Sequence, residues 1–141
     1  MITIETLYDI NDAIAGIRRE VFIDEQSIAE EDEFEGGEDT FIHFCMHENG
    51  IIIGYARVYV KDHILHIGRI AVRKVFRQRG HGRHIVSFAE KFGLVVDCAA
   101  ISLNAQIQAK GFYEKIGYTS IGAMFLEAGI EHIKMIKSFK K

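Results

Sequence analysis

Residues 70–83 constrain the fold of this chain more than any other segment. Their sequence, IAVRKVFRQRGHGR, begins as a β-rich strand, passes through a turn that contains Gly80 and Gly82, and enters a stretch with helical spacing of apolar residues. Glycine allows positive φ and a close approach of the backbone to a ligand. The free N–H groups of a helix's first turn attract anions. The segment therefore predicts strand, turn and helix with an anion site, although two glycines could also form a tight turn with a solvated basic face.

The rest of the chain alternates between strand and helix patterns around this segment. Asn49-Gly50 between two β-rich runs is a strong hairpin signal. The spacing of apolar residues predicts strands over 1–6, 40–47, 51–60, 65–72, 95–103, 118–121 and 130–139, and helices over 9–22, 83–92 and 105–116. Asp9 or Asn11 would cap the first helix, and Gly93 would end the second. This order predicts a mixed α/β (α+β) protein.

Length and composition limit the class of protein. A chain of 141 residues with 48% hydrophobic and 26% charged residues is typical of one globular domain, here residues 1–141. Its apolar runs fall short of the roughly 18 residues that a membrane span needs, and its start lacks the pattern of a secretory signal. Cys45 and Cys98 are isolated in apolar contexts, which predicts buried thiols in a reducing compartment. We therefore expect a cytoplasmic protein without a membrane segment.

The charge is unevenly distributed along the chain. Residues 1–49 carry 14 acids and two arginines, a net of −12, whereas residues 50–141 carry 6 acids and 15 bases, a net of +9. Residues 24–39 contain nine acids and no base, which predicts an exposed, mobile loop. Such a loop could attract a cationic ligand, or it could be a solvated segment that balances the basic half.

Two classes of ligand are not expected. The pairs His63/His66 and His81/His84 have spacings that a metal could use, but no carboxylate or cysteine cluster completes a metal site. The basic residues cluster at one turn instead of along a stripe, and the acidic half would repel phosphate, which argues against nucleic-acid binding.

Three ordered motifs resemble one known family. The Arg77-x-x-Gly80-x-Gly82 turn after Ile-Ala-Val resembles the acyl-CoA pyrophosphate loop of the GNAT N-acetyltransferases. The segment LNAQ followed by Phe112-Tyr113-x3-Gly-Tyr resembles a second motif of that family. RxVFxxxQ from residue 19 and AGIxHxxM from residue 128 resemble its ElaA/YjcF-like branch. Together the motifs span about residues 18 to 136.

The resemblance implies a fold and an activity. The fold would be the GNAT acyl-CoA N-acyltransferase fold, a mixed, mostly antiparallel sheet flanked by helices. The activity would be transfer of the acetyl group of acetyl-CoA to a primary amine of a small molecule or peptide, directly within a ternary complex. GNAT proteins often dimerise, so a homodimer is possible. A non-catalytic acyl-CoA-binding or sensing module remains the alternative, although such a module would need neither Tyr113 nor His132.

The resemblance also assigns roles to residues. Tyr113 would be the general acid toward the CoA sulfur and His132 the general base, with Glu25 as a competing base. Phe112 is expected to pack its helix against the sheet beside Tyr113. Arg69 would either face the acceptor or pair with an acid from residues 20–25. The implied cofactor residues are Ile70, Ala71, Val72, Arg77, Gln78, Arg79, Gly80, His81, Gly82, Arg83, Asn104 and Phe112. The implied acceptor residues are Arg19, Phe22, Glu25, Gln26 and Arg69.

Overall fold

The computed structural model describes residues 1–139, which form one seven-stranded sheet in the order β1-β2-β3-β4-β5-β7-β6. Every neighbouring pair is antiparallel except β4 and β5, which are parallel. The predicted mixed, mostly antiparallel α+β class is confirmed. The strands are β1 (Ile2–Leu7), β2 (Ile42–Glu48), β3 (Ile51–Lys61), β4 (Ile64–Val72), β5 (Ala100–Gln106), β6 (Thr119–Glu127) and β7 (Ile130–Ser138).

The helices cover both faces of the sheet. Helix α1 (Asp12–Arg18) is capped by Asn11, whose side chain accepts a hydrogen bond from the Ile14 N–H, and it continues as a π-helix over Arg19–Glu25. The others are α2 (Glu30–Glu33), α3 (His81–Val95) and α4 (Lys110–Lys115), and short 3₁₀ turns cover Glu38–Thr40, Lys74–Phe76 and Ile107–Ala109. None of the helices within residues 1–139 is long and apolar enough to cross a bilayer.

Several boundaries differ from the predictions: the strand predicted over 95–103 is β5 over residues 100–106, because α3 continues to Val95, and β6 extends beyond the predicted 118–121 to Glu127. Gly93 does not end α3, because it is buried inside a helix that continues to Val95. A Cβ at residue 93 would lie 2.9 Å from Cε2 of Phe139, so this glycine makes room for the last described residue of the chain. Likewise, the helix predicted over 105–116 is shortened to α4, because β5 runs on to Gln106 and a 3₁₀ turn intervenes.

The parallel pair β4–β5 is joined over a short length. Pairing is limited to three register pairs, in which Ile64, Leu65 and His66 oppose Ala100, Ile101 and Ser102. Beyond His66 the two strands diverge, and residues 67–70 of β4 and 103–106 of β5 border a cavity instead of each other. The backbone groups on that side of β4 are therefore left without a strand partner.

A β-bulge in β4 lies at the point of divergence. The register with β3 pairs Gly68 with Arg57 and Ala71 with Tyr55, so two residues of β4 oppose the single residue between them on β3. One of the two, Arg69, has a φ of +50°, a left-handed value that is uncommon for an arginine. Bulges bend a strand and redirect its side chains and amides, which suits a site at this position.

Residues 24–39 are mostly exposed, as their acidity predicted, but two of their nine acids, Glu33 and Glu38, are buried. Glu33 is 1% exposed and Glu38 is 8% exposed, and both accept hydrogen bonds from the fully buried Arg18 at 2.7 and 2.8 Å. Arg57 on β3 donates to the same Glu38 oxygen at 3.0 Å. Burial alone would raise the pKa of Glu38, but Arg18 and Arg57 together outweigh it, and the pKa lies below its ordinary value. Two arginines outside the acidic segment therefore anchor it through Glu33 and Glu38.

We expect Arg18→Ala to lower the free energy of unfolding by about 3–5 kcal/mol, because it strands two buried carboxylates. The matched control is Arg19→Ala on the same helix, whose exposed pair with Glu30 should contribute about 1 kcal/mol or less. Urea denaturation of both variants makes the comparison. Equal losses would show that the buried network does not hold residues 24–39 to the sheet.

Candidate active site

A cavity of about 460 Å³ lies between the diverging ends of β4 and β5. Its walls come from residues 67–70 of β4 and 103–106 of β5, from residues 22–33 on one side, and from α4, β6 and β7 on the other. Its volume is in the range of small-molecule sites. The predicted residues that line it are Phe22, Gln26, Arg69, Ile70, Asn104, Tyr113 and His132.

The glycine turn leads from the end of β4 into α3. Gln78 and Gly80 both have positive φ, +64° and +82°, and Gly80 precedes the first helical residue without any side-chain cap. Successive N–H groups in such a turn form a concave anion site, strengthened by the helix dipole. Arg79 and Arg83 are exposed beside it. The predicted arrangement of strand, turn and helix is therefore present, with the first-turn amides lacking helical acceptors.

Arg77 is not placed to bind an anion directly, because its guanidinium is paired with protein groups. Its Nε donates to the Val72 carbonyl at 2.8 Å, and its two terminal nitrogens donate to Glu25 at 2.8 and 2.7 Å. The guanidinium thus ties the turn to the end of the π-helix. Glu25 is held by the same contact and does not line the cavity, which leaves it poorly placed as a competing base.

Tyr113 is buried at 8% exposure and lines the cavity. Its ring packs edge-to-face against Phe112 and Tyr118, and no hydrogen-bond partner of its hydroxyl occurs among residues 1–139. Burial raises the pKa of the Tyr113 phenol to about 12, so it stays a proton donor at neutral pH.

The expectation that Phe112 packs α4 against the sheet is wrong, since Phe112 is 40% exposed. Successive helical residues point about 100° apart, and Tyr113 takes the inward position.

His132 lies on β7 opposite Gln106 of β5 and Phe125 of β6. Its side chain is 6% exposed and its ring stacks on Phe125. Nδ1 lies 2.7 Å from the Ile130 carbonyl oxygen, which can only accept, so Nδ1 carries the proton. In the neutral ring this leaves the lone pair on Nε2, the arrangement that a general base requires.

The family profile described as "Acetyltransferase (GNAT) domain" matches residues 10–139. The chain belongs to the GNAT acetyltransferase family. It is 35% identical to the uncharacterized protein YyaT of Bacillus subtilis, over 98% of this chain and 95% of that protein. It is also 35% identical to the uncharacterized N-acetyltransferase YjcF of the same organism, over 86% and 87% of the two chains. The crystal structure of Escherichia coli ElaA has the same fold, with a TM-score of 0.85 at 24% identity over 98% and 100% of the chains.

The predicted acceptor residues of this GNAT chain separate into two groups. Phe22 and Gln26 line the cavity, and Gln26 accepts a hydrogen bond from Gln106 at 2.8 Å across it. Arg19 does not line it, since its guanidinium pairs with Glu30. Arg69 does line it, and its partners are Glu33 and the Asp32 carbonyl. The alternative that Arg69 pairs with an acid from 20–25 is wrong, because α2 brings residues 32 and 33 closer.

Other predicted cofactor residues occupy the rim or the core of the GNAT fold. Asn104 lines the cavity and donates to Glu127 at 3.2 Å. Ala71 is buried against helix α1, and Val72 carries the carbonyl that anchors the turn. His81 is the first residue of α3 and Gly82 lies in its first turn. A Cβ added at position 82 would contact only a methyl group of Val72, at 3.9 Å, so Gly82 leaves open space there.

Among the cavity residues that sequence reasoning missed are Arg57, Tyr59 and His66. Arg57 lies at the base of the cavity, and Tyr59 and His66 stack on each other with ring centroids 4.7 Å apart. Burial, with Lys134 nearby, lowers the pKa of His66, whose Nδ1 is 3.0 Å from the Ser102 hydroxyl. A signal for Arg57 did exist, since it is the lone charge inside the apolar run IIIGYARVYV. No cluster of three metal-ligating side chains occurs within residues 1–139.

We expect the neutral imidazole of His132 to hold its proton on Nδ1, because the Ile130 carbonyl fixes that tautomer. Nitrogen-15 chemical shifts of labelled protein at pH 9 would report it, and His132→Gln provides the assignment. A proton on Nε2 instead would contradict the geometry and leave no lone pair toward the cavity.

Proposed function

We propose that this protein is an acetyl-CoA-dependent N-acetyltransferase that acts in the cytoplasm as a single domain. It moves the acetyl group to a primary amine of a small molecule or peptide, directly within a ternary complex. One observation carries the proposal: Tyr113 and His132, a proton donor and a proton acceptor, line a single cavity at the divergence of β4 and β5. Family membership supports the donor, and no covalent acetyl-cysteine is needed, since Cys45 and Cys98 lie outside that cavity wall.

The donor would bind along β4 and the turn that follows it. The edge of β4 over Ile70, Ala71 and Val72, which does not pair with β5, would bind the pantetheine arm by hydrogen bonds of the kind that a further strand would make. The amides of the first turn of α3, with the charges of Arg79 and Arg83, would bind the pyrophosphate. Acetyl-CoA bound in this way directs its thioester into the cavity, because β4 leads from the turn to the cavity wall.

The chemical step then follows from the two side chains. The lone pair of the neutral amine nitrogen attacks the thioester carbonyl carbon, and His132 Nε2 accepts the one proton that this nitrogen loses as the C–N bond forms. The C–N bond forms, the carbonyl oxygen gains negative charge, and amide N–H groups of the bulged strand could stabilise it. The C–S bond then breaks, and Tyr113 donates its hydroxyl proton to the departing sulfur. Solvent returns the proton from His132 to Tyr113.

We expect Tyr113→Phe to lower kcat by about 100-fold or more, because it removes the general acid without removing the ring. Release of free CoA thiol in the presence of acetyl-CoA and an accepted amine measures it. The KM for acetyl-CoA should change little. Tyr8→Phe is the control, since Tyr8 is 70% exposed and remote from the cavity wall. Unchanged turnover by Tyr113→Phe would contradict the assignment.

The raised pKa of Tyr113 also predicts a pH dependence. The neutral phenol is the active form, and a pKa of about 12 keeps it protonated to higher pH than an ordinary tyrosine. Deprotonation of Tyr113 should therefore cause no loss of kcat between pH 8 and pH 10. A fall of kcat across that range in the wild type that vanishes in Tyr113→Phe would show that the phenol ionises earlier.

A further inference from the structure

The base of the cavity holds two arginines, and their unused donors indicate the chemistry of the acceptor. We propose that the amine substrate carries a carboxylate, which binds to Arg57 and Arg69 while its amine faces His132. This inference rests on the proposed function, which leaves the acceptor's class open. In this arrangement one part of the cavity binds the carboxylate of the substrate and another part accepts a proton from its amine.

Arg57 is a buried guanidinium with spare hydrogen-bond donors. Its side chain is 7% exposed, and one nitrogen, Nη1, donates to Glu38 at 3.0 Å. Its flat face covers the Phe41 ring, with Cζ 3.8 Å from the ring centroid. Within the described chain no partner is found for its Nε and Nη2. Since Arg57 lines the cavity, these in-plane donors reach solvent only through it.

Arg69 approaches the same space from the bulge in β4. Its Nη2 donates to the Asp32 carbonyl at 3.2 Å, and its Nε lies 3.1 Å from Glu33 Oε1 without hydrogen-bond alignment. Its Nη1 has no partner among residues 1–139. The positive φ of Arg69 is the local cost of turning this side chain toward the cavity. A strained backbone at a cavity wall is typical of a binding residue.

The ion pairs at this end of the cavity contain one more arginine than carboxylate. Arg18, Arg57 and Arg69 pair with only two carboxylates, Glu33 and Glu38, although Asp32 and Glu127 also line the cavity. Burial, with Arg69 and Arg18 nearby, lowers the pKa of Arg57 in spite of the opposing effect of Glu38. A ligand carboxylate would give these arginines a third negative partner. Of the nine acids in residues 24–39, Asp32 and Glu33 line the cavity, and Arg69 contacts both residues.

The shape of the donors favours a carboxylate over a larger anion. A guanidinium held flat against Phe41 presents two parallel N–H groups in one plane, the geometry that a planar carboxylate accepts in pairs. The cavity must also hold the acetyl end of the donor within about 460 Å³, which leaves room for a small acceptor. An amino acid, or a small amine of similar length with a carboxylate, meets these demands, whereas a polyamine does not.

A matched set of acceptors tests the inference. Amino acids, their carboxamides, the corresponding decarboxylated amines and the phosphonate analogues are each supplied with acetyl-CoA, and thiol release is followed. We expect kcat/KM to fall about 100-fold or more when the carboxylate is removed or amidated, because buried donors are then left unpaired. Equal or faster turnover of the amides or decarboxylated amines would overturn the inference, as would a preference for phosphonates over carboxylates.

Variants assign the effect to the two arginines. Arg57→Lys keeps a positive charge beside Glu38 but loses the two parallel N–H donors of the guanidinium. Arg69→Lys likewise keeps the positive charge at the β4 bulge but loses the guanidinium donors. Each should raise KM for the carboxylated acceptor about tenfold or more, with KM for acetyl-CoA unchanged and near-wild-type melting temperature. Lys91→Gln, at an exposed position of α3, is the control. Unchanged acceptor KM in both lysine variants would overturn the assignment.

A binding experiment separates this inference from the proposed function. Titration calorimetry of the CoA-loaded protein with N-acetyl amino acids and with their amides requires no turnover. Binding of the N-acetyl amino acids but not of their amides supports the inference. Equal binding of the two sets, or no binding of the N-acetyl amino acids, overturns it. Turnover of uncharged amines without carboxylate preference contradicts only the inference. A protein that neither binds CoA nor releases thiol with any amine contradicts the proposed function itself.

Discussion

Three register pairs join β4 to β5, and the site depends on that short ladder. Pairing between residues 64–66 and 100–102 holds the two halves of the sheet together, and the loss of pairing beyond it creates the cavity. The bulge at Arg69 prevents the ladder from continuing, because it redirects the β4 backbone where β5 would have to follow. A fully paired sheet with the same side chains would have neither the free strand edge nor the space for two substrates.

The buried arginines connect this divergence to the N-terminal half of the chain. Arg18 holds Glu33 and Glu38, and Glu38 in turn holds Arg57 at the base of the cavity. Replacing one member leaves the others charged and desolvated, so the network is costly to break even though intact buried pairs add little net stability. The same contacts therefore fold the acidic segment over the cavity and fix the orientation of the Arg57 donors.

Local sequence signals could predict the part of the site that binds acetyl-CoA and carries Tyr113 and His132, but not the part that binds the amine substrate. The turn with Gly80, the inward Tyr113 and the His132 strand are each set by residues within a few positions, and their motifs also resemble the GNAT family. Glu33 and Glu38 were predicted to be solvated because nine acids in sixteen residues resemble an exposed loop. Their partners lie 15 to 20 residues away along the chain, and hydrophobic periodicity carries no information about such pairs.

Arg57 shows the same limit more sharply. An arginine within an apolar strand indicates a buried charge, but the sequence does not say whether its partner is a protein carboxylate or a ligand. The structure answers in part, since Glu38 accepts from one nitrogen and the cavity borders the others. Glycine positions were harder to interpret from sequence than expected. Gly93 is required by the Phe139 ring and not by the end of a helix, because tertiary packing overrides the local signal.

Hydrogen–deuterium exchange with and without CoA tests the central claim most directly, because it reports on single backbone amides and needs no acceptor. We expect slower exchange at the amides of residues 79–83 and at the β4 edge over residues 70–72, with β1 and β2 unchanged. Unaltered exchange at the glycine turn, or protection confined to strands away from the cavity, would contradict the claim that the divergence of β4 and β5 is the site of the reaction.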